Sequence, residues 1–175
     1  MQKVAKERLA TFKPLATNAD LPAESANVDF LHDILNRREN LLFKVLGKKL
    51  MAVGKAGLFH AWMLQESDLV QDAATAFGER LISDQFREVL DSCESSLKPV
   101  LTKLYHLYLL DIVEKKLASF ITNGLISSET ATQVVSTSRT VCRDLGPEAL
   151  ALCDAFAITD PMISAPIAQD WVNIM

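Results

Sequence analysis

The chain has 175 residues, of which 49% are apolar and 23% are charged, a balance typical of one globular domain with a hydrophobic core. Its formal charge of −4 excludes the strong basic excess that is typical of nucleic-acid-binding proteins. No apolar run approaches the roughly 18 residues that a membrane-spanning helix needs, because His106 and Asp111 interrupt the longest one, near Leu104–Val113.

The chain opens with a segment of low helical periodicity. Residues 1–26 predict a linker or N-terminal extension, because Pro14, Pro22 and scattered small polar residues break any sustained period. Asn27 is a favourable N-cap, so we expect one helical domain over residues 27–175. Its first helix should run to about Val53, ended by Gly54 and Gly57. The polar face of this helix is basic: Arg37, Arg38, Lys44, Lys48 and Lys49.

Two more long helices are expected in the middle of the chain. Ser67 is predicted to cap an amphipathic helix that ends near Ser92, and Gly78 within it should let a neighbouring helix approach closely. Ser95 or Ser96 should cap the next helix, with Pro99 in its first turn and its end at Asn123-Gly124. Because this helix is apolar around much of its circumference, we expect it to be central.

The last part of the chain predicts two shorter helices. Ser127 or Ser128 opens a fourth helix that stops at Gly146-Pro147, and a fifth spans about Glu148–Phe156. An irregular tail with Trp171 follows the fifth helix. From Gly146 to Met175 there are four acidic residues and no Lys or Arg, a charge that could dock on a basic surface, although a solvated face is favoured. The predicted fold class is all-α, an up-and-down helical bundle of four main helices plus a short fifth.

Cysteine and histidine give no metal or disulfide pattern. Cys93, Cys142 and Cys153 form no CxxC motif, so no disulfide framework or zinc site is expected. Cys142 and Cys153 have apolar neighbours and should be small core residues. For His106, a core or interface position is favoured over a catalytic one; the other two histidines are distant in sequence: His32 and His60.

Other chemical constellations are equally weak. Asp111 and Glu114 share a helix face and could serve acid–base chemistry or a di-iron site, but the repeated Glu-x-x-His pattern is absent. A solvated face beside Lys115-Lys116 is favoured. The basic residues of the first helix could meet a phosphate, although a surface stripe or a contact with another domain is favoured. The aromatic residues predict core or interface anchors: Tyr105, Tyr108, Phe120 and Trp62. We assign no catalytic, cofactor-binding or metal-binding residue.

Three stretches together resemble one family. Ile34-Leu35-Asn36-Arg37-Arg38-Glu39-Asn40-Leu41-Leu42 is similar to the opening helix of the acyl-CoA oxidase carboxy-terminal domain, which carries an Arg before a Leu-Leu pair. Leu104-Tyr105-His106-Leu107-Tyr108, followed by Asn123-Gly124-Leu125-Ile126-Ser127, resembles the family's Leu-Tyr-x-Leu-Tyr helix and its Gly-containing exit. The third stretch is Glu148-Ala149-Leu150-Ala151-Leu152-Cys153-Asp154-Ala155-Phe156, with Asp160 and Ala165-Pro166-Ile167-Ala168 after it. A Gly-Arg-Tyr-Asp-Gly-Asn-Val-Tyr segment of many members is absent, which places the chain nearer the plant-like medium-chain branch or leaves it divergent.

This resemblance implies a part of an FAD-dependent enzyme of fatty acid β-oxidation. Acyl-CoA oxidases convert acyl-CoA to trans-2-enoyl-CoA and pass the electrons to oxygen, which gives hydrogen peroxide. In the family, the proton-abstracting glutamate and most of the flavin site belong to earlier domains, so we expect no FAD on this chain alone. The role implied for the chain is packing against the dehydrogenase-like domains, in the same or a separate chain, and support of a homodimer or larger assembly.

The resemblance leaves the setting of this domain open. It implies a peroxisomal location, although Arg8-Leu9 with Leu15-Ala16 only approaches the amino-terminal signal, and the last three residues are not of the Ser-Lys-Leu type. A second hypothesis is a non-catalytic scaffold subunit of a larger assembly, in the mitochondrion or another organelle. The initiating Met1 and the absence of a catalytic portion favour that hypothesis. A third is an unrelated helical adaptor.

Overall fold

The computed structural model describes residues 24–159, 162 and 163, and this part of the chain is all-α without strands, as predicted. The elements, in chain order, are α1 (Val28–Ala52), α2 (Gly54–His60), a π-helical turn (Ala61–Gln65), α3 (Ser67–Ser92), α4 (Lys98–Lys115), α5 (Leu117–Thr122), α6 (Ser128–Leu145), a 3₁₀ turn (Gly146–Glu148) and α7 (Ala149–Asp154). The expected extension before residue 24 and Trp171 lie outside the described residues, so the domain boundary at residue 27 stays a prediction.

The bundle is organised around α4. This helix contacts α1, α3 and α6, which confirms the expectation that the most hydrophobic helix is central. Helices α1 and α3 run antiparallel. Their ion pairs show this, because residues further along α1 pair with residues nearer the start of α3: Asp29 with Arg87, Arg38 with Glu79, and Lys49 with Glu66. Their contact holds α1 against the rest of the bundle over almost its full length.

The apolar core has two parts. The larger cluster joins the first half of α1 to α4, α5 and α6, and its fully buried members include Phe30, Leu109, Phe120 and Val134. The smaller cluster joins the second half of α1 to the first half of α3: Leu42, Leu46, Ala73 and Ala76. Burying such side chains supplies the main favourable term in folding. Between the two clusters, the α1–α3 contact is polar.

The helix starts agree only in part with the predictions. Asn27 caps α1, with its Oδ1 accepting from the Phe30 N–H at 2.8 Å, and Ser127 caps α6 by accepting from the Thr130 N–H at 3.1 Å. The prediction for Ser67 was wrong, since Ser67 is already the first residue of α3 and Glu66 occupies the cap position. The prediction for Ser95 or Ser96 was also wrong, because α4 starts at Lys98 after Leu97; Pro99 does lie in its first turn.

One of the expected helices is divided, and others differ from the prediction at their ends. Helix α1 ends at Ala52, and Gly54 adopts a positive φ of 64° that L-residues rarely adopt, but Gly57 lies inside α2 and does not end a helix. The expected third helix is interrupted at Lys116, so its last turns form α5. Helix α5 ends at Thr122, and the following Gly124 has a φ of 65°. The expected fifth helix is shorter, Ala149–Asp154.

Two expectations about small residues were wrong. A Cβ built on Gly78 would meet no atom within 4 Å, so this glycine does not permit a close helix contact. Cys142 and Cys153 are exposed instead of buried. In both cases the residue lies on the outer face of a helix, where local apolar neighbours do not indicate the direction of the side chain.

Candidate functional site

A set of polar side chains is buried where α1 meets α3. We call it the polar seam, and its members are His32, Arg37, Arg38 and Glu39 of α1, Glu79, Arg80, Ser83 and Asp84 of α3, and Tyr105 of α4. It occurs in the middle of an otherwise apolar contact. Buried charges are tolerated only when they are paired and hydrogen-bonded, so the geometry of each pair decides what the seam can do.

The most deeply buried pair joins Arg38 and Glu79. The Arg38 side chain is only 2% exposed, and its Nη1 donates to Glu79 Oε2. Its guanidinium also lies 5.4 Å from the centre of the Phe120 ring, a cation–π distance that connects α1 to α5. Arg38 Nε is buried without a hydrogen-bond partner among the described residues. This arginine therefore depends on Glu79 for most of the compensation of its desolvation.

The second pair is a three-residue bridge centred on Arg80. Its Nε donates to Glu39 of α1, and its Nη1 donates to Asp84 one turn further along α3. Arg80 is 5% exposed and Glu39 14%, so both charges are largely removed from water. Arg37 makes a more local pair with Asp33 at 2.6 Å, within α1.

The third part is a compact triangle of hydrogen bonds. His32 Nδ1 lies 2.9 Å from both Ser83 Oγ and Tyr105 Oη, and the two hydroxyls are 2.7 Å apart. Tyr105 also stacks on Phe86, with ring centres 5.1 Å apart. One turn later on α4, the Tyr108 hydroxyl donates to the Glu79 carbonyl at 2.9 Å. The triangle and this bond join α4 to the α1–α3 contact.

Burial shifts the titration of the seam. Burial lowers the pKa of His32 below its usual value, and the positive charge of Arg87 adds to this effect, while Asp84, Asp33 and Asp29 oppose it. Burial raises the pKa of Tyr105, partly offset by the hydrogen bond with Ser83. Burial, followed by the charge of Glu79, raises the pKa of Tyr108 to about 12. These shifts favour the neutral forms of His32 and Tyr105 in the seam, and of Tyr108 beside it.

The order Ser83, His32 and Asp84 invites comparison with a nucleophilic triad, but the geometry does not support one. Ser83 is fully buried, so a substrate carbonyl cannot reach its Oγ. His32 Nε2 lies 3.8 Å from Asp84 Oδ1, too far for a hydrogen bond, and Asp84 is engaged by Arg80. The seam acts as a structural network that fixes the register of α1, α3 and α4.

Arg37 and Arg38 were interpreted as a surface stripe or a contact with another domain, and this was wrong. They are 8% and 1% exposed, and both are engaged in ion pairs within the domain. A sequence signal does exist: Arg38 falls on the apolar spacing of Ile34 and Leu42, and Arg80 and Ser83 continue the spacing of Ala73 and Ala76. A charge on the buried stripe of two long helices indicates an internal pair.

The remaining candidates are separate from the seam. His106 Nε2 donates to the Ala26 carbonyl at 2.7 Å, as expected for an interface histidine, and His60 is exposed. Asp111 pairs with Lys115 at 2.7 Å on the solvated face, with Asp111 51% exposed. Of the aromatic anchors, Tyr105 and Phe120 are fully buried, whereas Trp62 is 43% exposed.

Glu24 connects the described N-terminal residues to α6. Its carboxylate accepts from the Ser127 backbone N–H at 3.1 Å and from the Thr130 hydroxyl at 2.7 Å. Hydrogen bonds with Ser127 and Thr130 lower the pKa of Glu24. A carboxylate at the N-terminus of a helix is also favoured by the helix dipole.

A small cavity of about 150 Å³ lies beside Tyr105 and is lined also by Arg87, Leu90, Asp91 and Lys98. It is smaller than the roughly 300–1,000 Å³ of ligand pockets. Among the described residues, no three His, Cys, Asp or Glu side chains are placed to hold a metal ion. In the same residues, no helix is both long and apolar enough to cross a membrane.

The described residues define the structural class as all-α. The domain is a helical bundle in which ion pairs of the polar seam join α1 to α3. The sequence model of the acyl-CoA oxidase family matches residues 28–170. The chain therefore belongs to the acyl-CoA oxidase family, which confirms the resemblance; the plant-like branch stays a prediction. No curated protein matches the chain significantly.

Family membership carries a coarse functional statement. It associates the chain with acyl-CoA oxidation, an oxidoreductase reaction of fatty acid breakdown. Members of the family are generally FAD-dependent and generally peroxisomal.

Removing one partner of the deepest ion pair should be severely destabilising. We expect Glu79→Ala to lower the free energy of unfolding by about 3–5 kcal/mol, because Arg38 is left buried without a counter-charge. Urea unfolding followed by circular dichroism measures this. The double variant Arg38→Met/Glu79→Leu should recover most of the loss, and Asp111→Ala at the exposed pair should cost less than about 0.5 kcal/mol. Equal effects of Glu79→Ala and Asp111→Ala would contradict the assignment.

Stability should also depend on His32. Because folding lowers the pKa of His32, the unfolded chain binds the proton more readily, and stability falls as the pH drops below about 6.5. Above that pH the contribution is fully present. Urea unfolding from pH 7.5 down to 5 should show a steeper loss for the wild type than for His32→Gln. His60→Gln, at an exposed position, is the matched control. A His32→Gln profile parallel to that of the wild type would contradict this explanation.

Proposed function

We propose that this chain is the carboxy-terminal helical domain of an FAD-dependent acyl-CoA oxidase, and that it packs against the dehydrogenase-like domains without performing the chemistry itself. The observation that carries the proposal is the family match over residues 28–170 on a bundle whose polar seam is structural. We assign no flavin-binding residue and no catalytic base to this chain.

The exposed end of the bundle supports a packing role. Leu150 is 81% exposed and Phe156 is 78% exposed, and both belong to the stretch that carries the family resemblance. Ile158 and Met162 continue this apolar surface at 60% and 70% exposure. The stretch therefore contributes little to the core of the domain through these side chains. Large exposed apolar groups of this kind are typical of a contact with another protein surface.

The family chemistry sets what the partner supplies. Bound in the preceding domains, FAD accepts a hydride from the acyl-CoA. This domain would cover those domains on one side and stabilise a homodimer or a larger assembly. A peroxisomal setting agrees with the family as a whole. The polar seam would help to keep the exposed surface in a fixed position, because α6 packs against α4 and leads through the 3₁₀ turn into α7.

Mixing experiments test the proposal. The chain alone should show no flavin absorbance and no acyl-CoA oxidase activity. Added to a polypeptide with the dehydrogenase-like domains of an acyl-CoA oxidase, it should form a complex in native mass spectrometry and raise peroxide production. Leu150→Ser/Phe156→Ser should weaken that complex roughly tenfold or more, since each side chain loses about 1.5–3 kcal/mol of burial.

The matched control is a pair of exposed apolar residues elsewhere, Leu58→Ser/Phe59→Ser, which should leave the complex intact. Activity of the chain by itself would contradict the proposal. Purification of the native chain within a large assembly that contains no flavoprotein would instead favour a scaffold subunit derived from this domain.

A further inference from the structure

A second exposed surface differs from the first in place and in charge. After α1, the chain forms α2 and the π-helical turn, and no residue of α2 is buried. Six large apolar side chains of this region are between 43% and 79% exposed: Met51, Leu58, Phe59, Trp62, Met63 and Leu64. We call residues 51–65 the helical arm. Ala61 is its buried contact, at 2% exposure.

Packing within the domain does little to stabilise the helical arm. Helix α2 has seven residues, and isolated helices shorter than about 12–15 residues are marginal in water. Its entry at Gly54 has a positive φ of 64°, and its exit is a π-helical turn, a geometry often found at functional sites. An apolar, solvent-facing arm of this kind gains stability when its outer side is covered.

The charge around the arm indicates what covers it. Residues 40–65 contain no Asp or Glu, and their ionic residues are the four lysines Lys44, Lys48, Lys49 and Lys55. Lys49 is paired with Glu66 at 2.6 Å. The other three are exposed and make no ion pair within the described part of the chain. The occupant of this surface therefore combines an apolar interior with negative charge at its boundary.

The type of cation separates two classes of occupant. Protein interfaces are enriched in Arg and depleted of Lys, whereas Lys with Trp, Phe and Leu is typical of segments that lie in a lipid–water interface. Residues 40–65 contain no arginine, and their exposed cations without an ion pair among the described residues are Lys44, Lys48 and Lys55. Lysine also extends its apolar stem along the acyl region while its ammonium stays with the headgroups.

We infer that the helical arm docks on the surface of an anionic phospholipid bilayer. Phe59, Trp62 and Leu64 enter the boundary between headgroups and acyl chains, and Lys44, Lys48 and Lys55 contact lipid phosphates. Three lysines near an anionic surface each contribute on the order of a fivefold gain in partition, and the apolar side chains supply the rest. The contact is peripheral and does not require a spanning helix.

Vesicle sedimentation tests this inference with the full chain. Binding is expected to vesicles of phosphatidylcholine with phosphatidylserine, and to be weak to phosphatidylcholine alone. Lys44→Gln/Lys48→Gln/Lys55→Gln should reduce the partition coefficient on the order of a hundredfold. Phe59→Ser/Leu64→Ser should reduce it at least roughly tenfold. A blue shift of Trp62 fluorescence should accompany binding, measured in a Trp171→Phe background so that Trp62 is the single reporter.

The matched control is Leu150→Ser/Phe156→Ser, which should bind vesicles like the wild type. Circular dichroism confirms that each variant is folded. Equal partition of the wild type and the lysine variant, or no binding to anionic vesicles, would overturn the inference. Loss of the complex with the dehydrogenase-like polypeptide in the Phe59→Ser/Leu64→Ser variant would also overturn it, because the arm would then be a protein contact. The proposed function is tested separately, by the effect of Leu150→Ser/Phe156→Ser on the complex with the dehydrogenase-like polypeptide.

Discussion

The structure depends on pairing charges that the fold has taken out of water. Arg38 and Arg80 lie on the stripe of α1 and α3 that would otherwise be wholly apolar, and each would be costly to bury alone. Asp84 pairs with Arg80 within α3, but Glu79 and Glu39 reach the arginines only when α1 and α3 are antiparallel and in one register. A slip of one turn would separate both interhelical pairs at once. The seam therefore specifies the bundle more sharply than apolar packing alone, which tolerates many arrangements.

This internal use of charge explains what is left on the surface. With the buried arginines and their carboxylates engaged inside, the bundle presents two exposed apolar regions, the α7 end with Leu150 and Phe156, and the helical arm. The first belongs to the stretch that carries the family resemblance, and the second lies in the segment 40–65, whose ionic residues are lysines. In the role that we propose, the domain contributes surfaces and rigidity to an oxidase, while the reaction takes place elsewhere in the assembly.

Much of the fold could be predicted from the sequence, because helical periodicity and the caps at Asn27 and Ser127 are local signals. The site could not. His32, Ser83 and Tyr105 are separated by 51 and 22 residues and meet only through tertiary packing. Arg38 was assigned to the polar face because a charge normally faces water, and only the coincidence with an apolar stripe argues otherwise. The helix break at Lys116 could not be predicted either, because no proline or glycine lies near it in the sequence.

Hydrogen exchange on the isolated chain tests the central claim directly, namely that the polar seam fixes the bundle without help from a partner. We predict that amides of α1 and α3 beside the seam, around residues 34–42 and 76–84, exchange only through global unfolding, with the highest protection in the chain. Amides of residues 54–65 should exchange much faster. Protection of the seam as low as that of residues 54–65 would contradict the claim, since α1 and α3 would then need the rest of the oxidase to stay together.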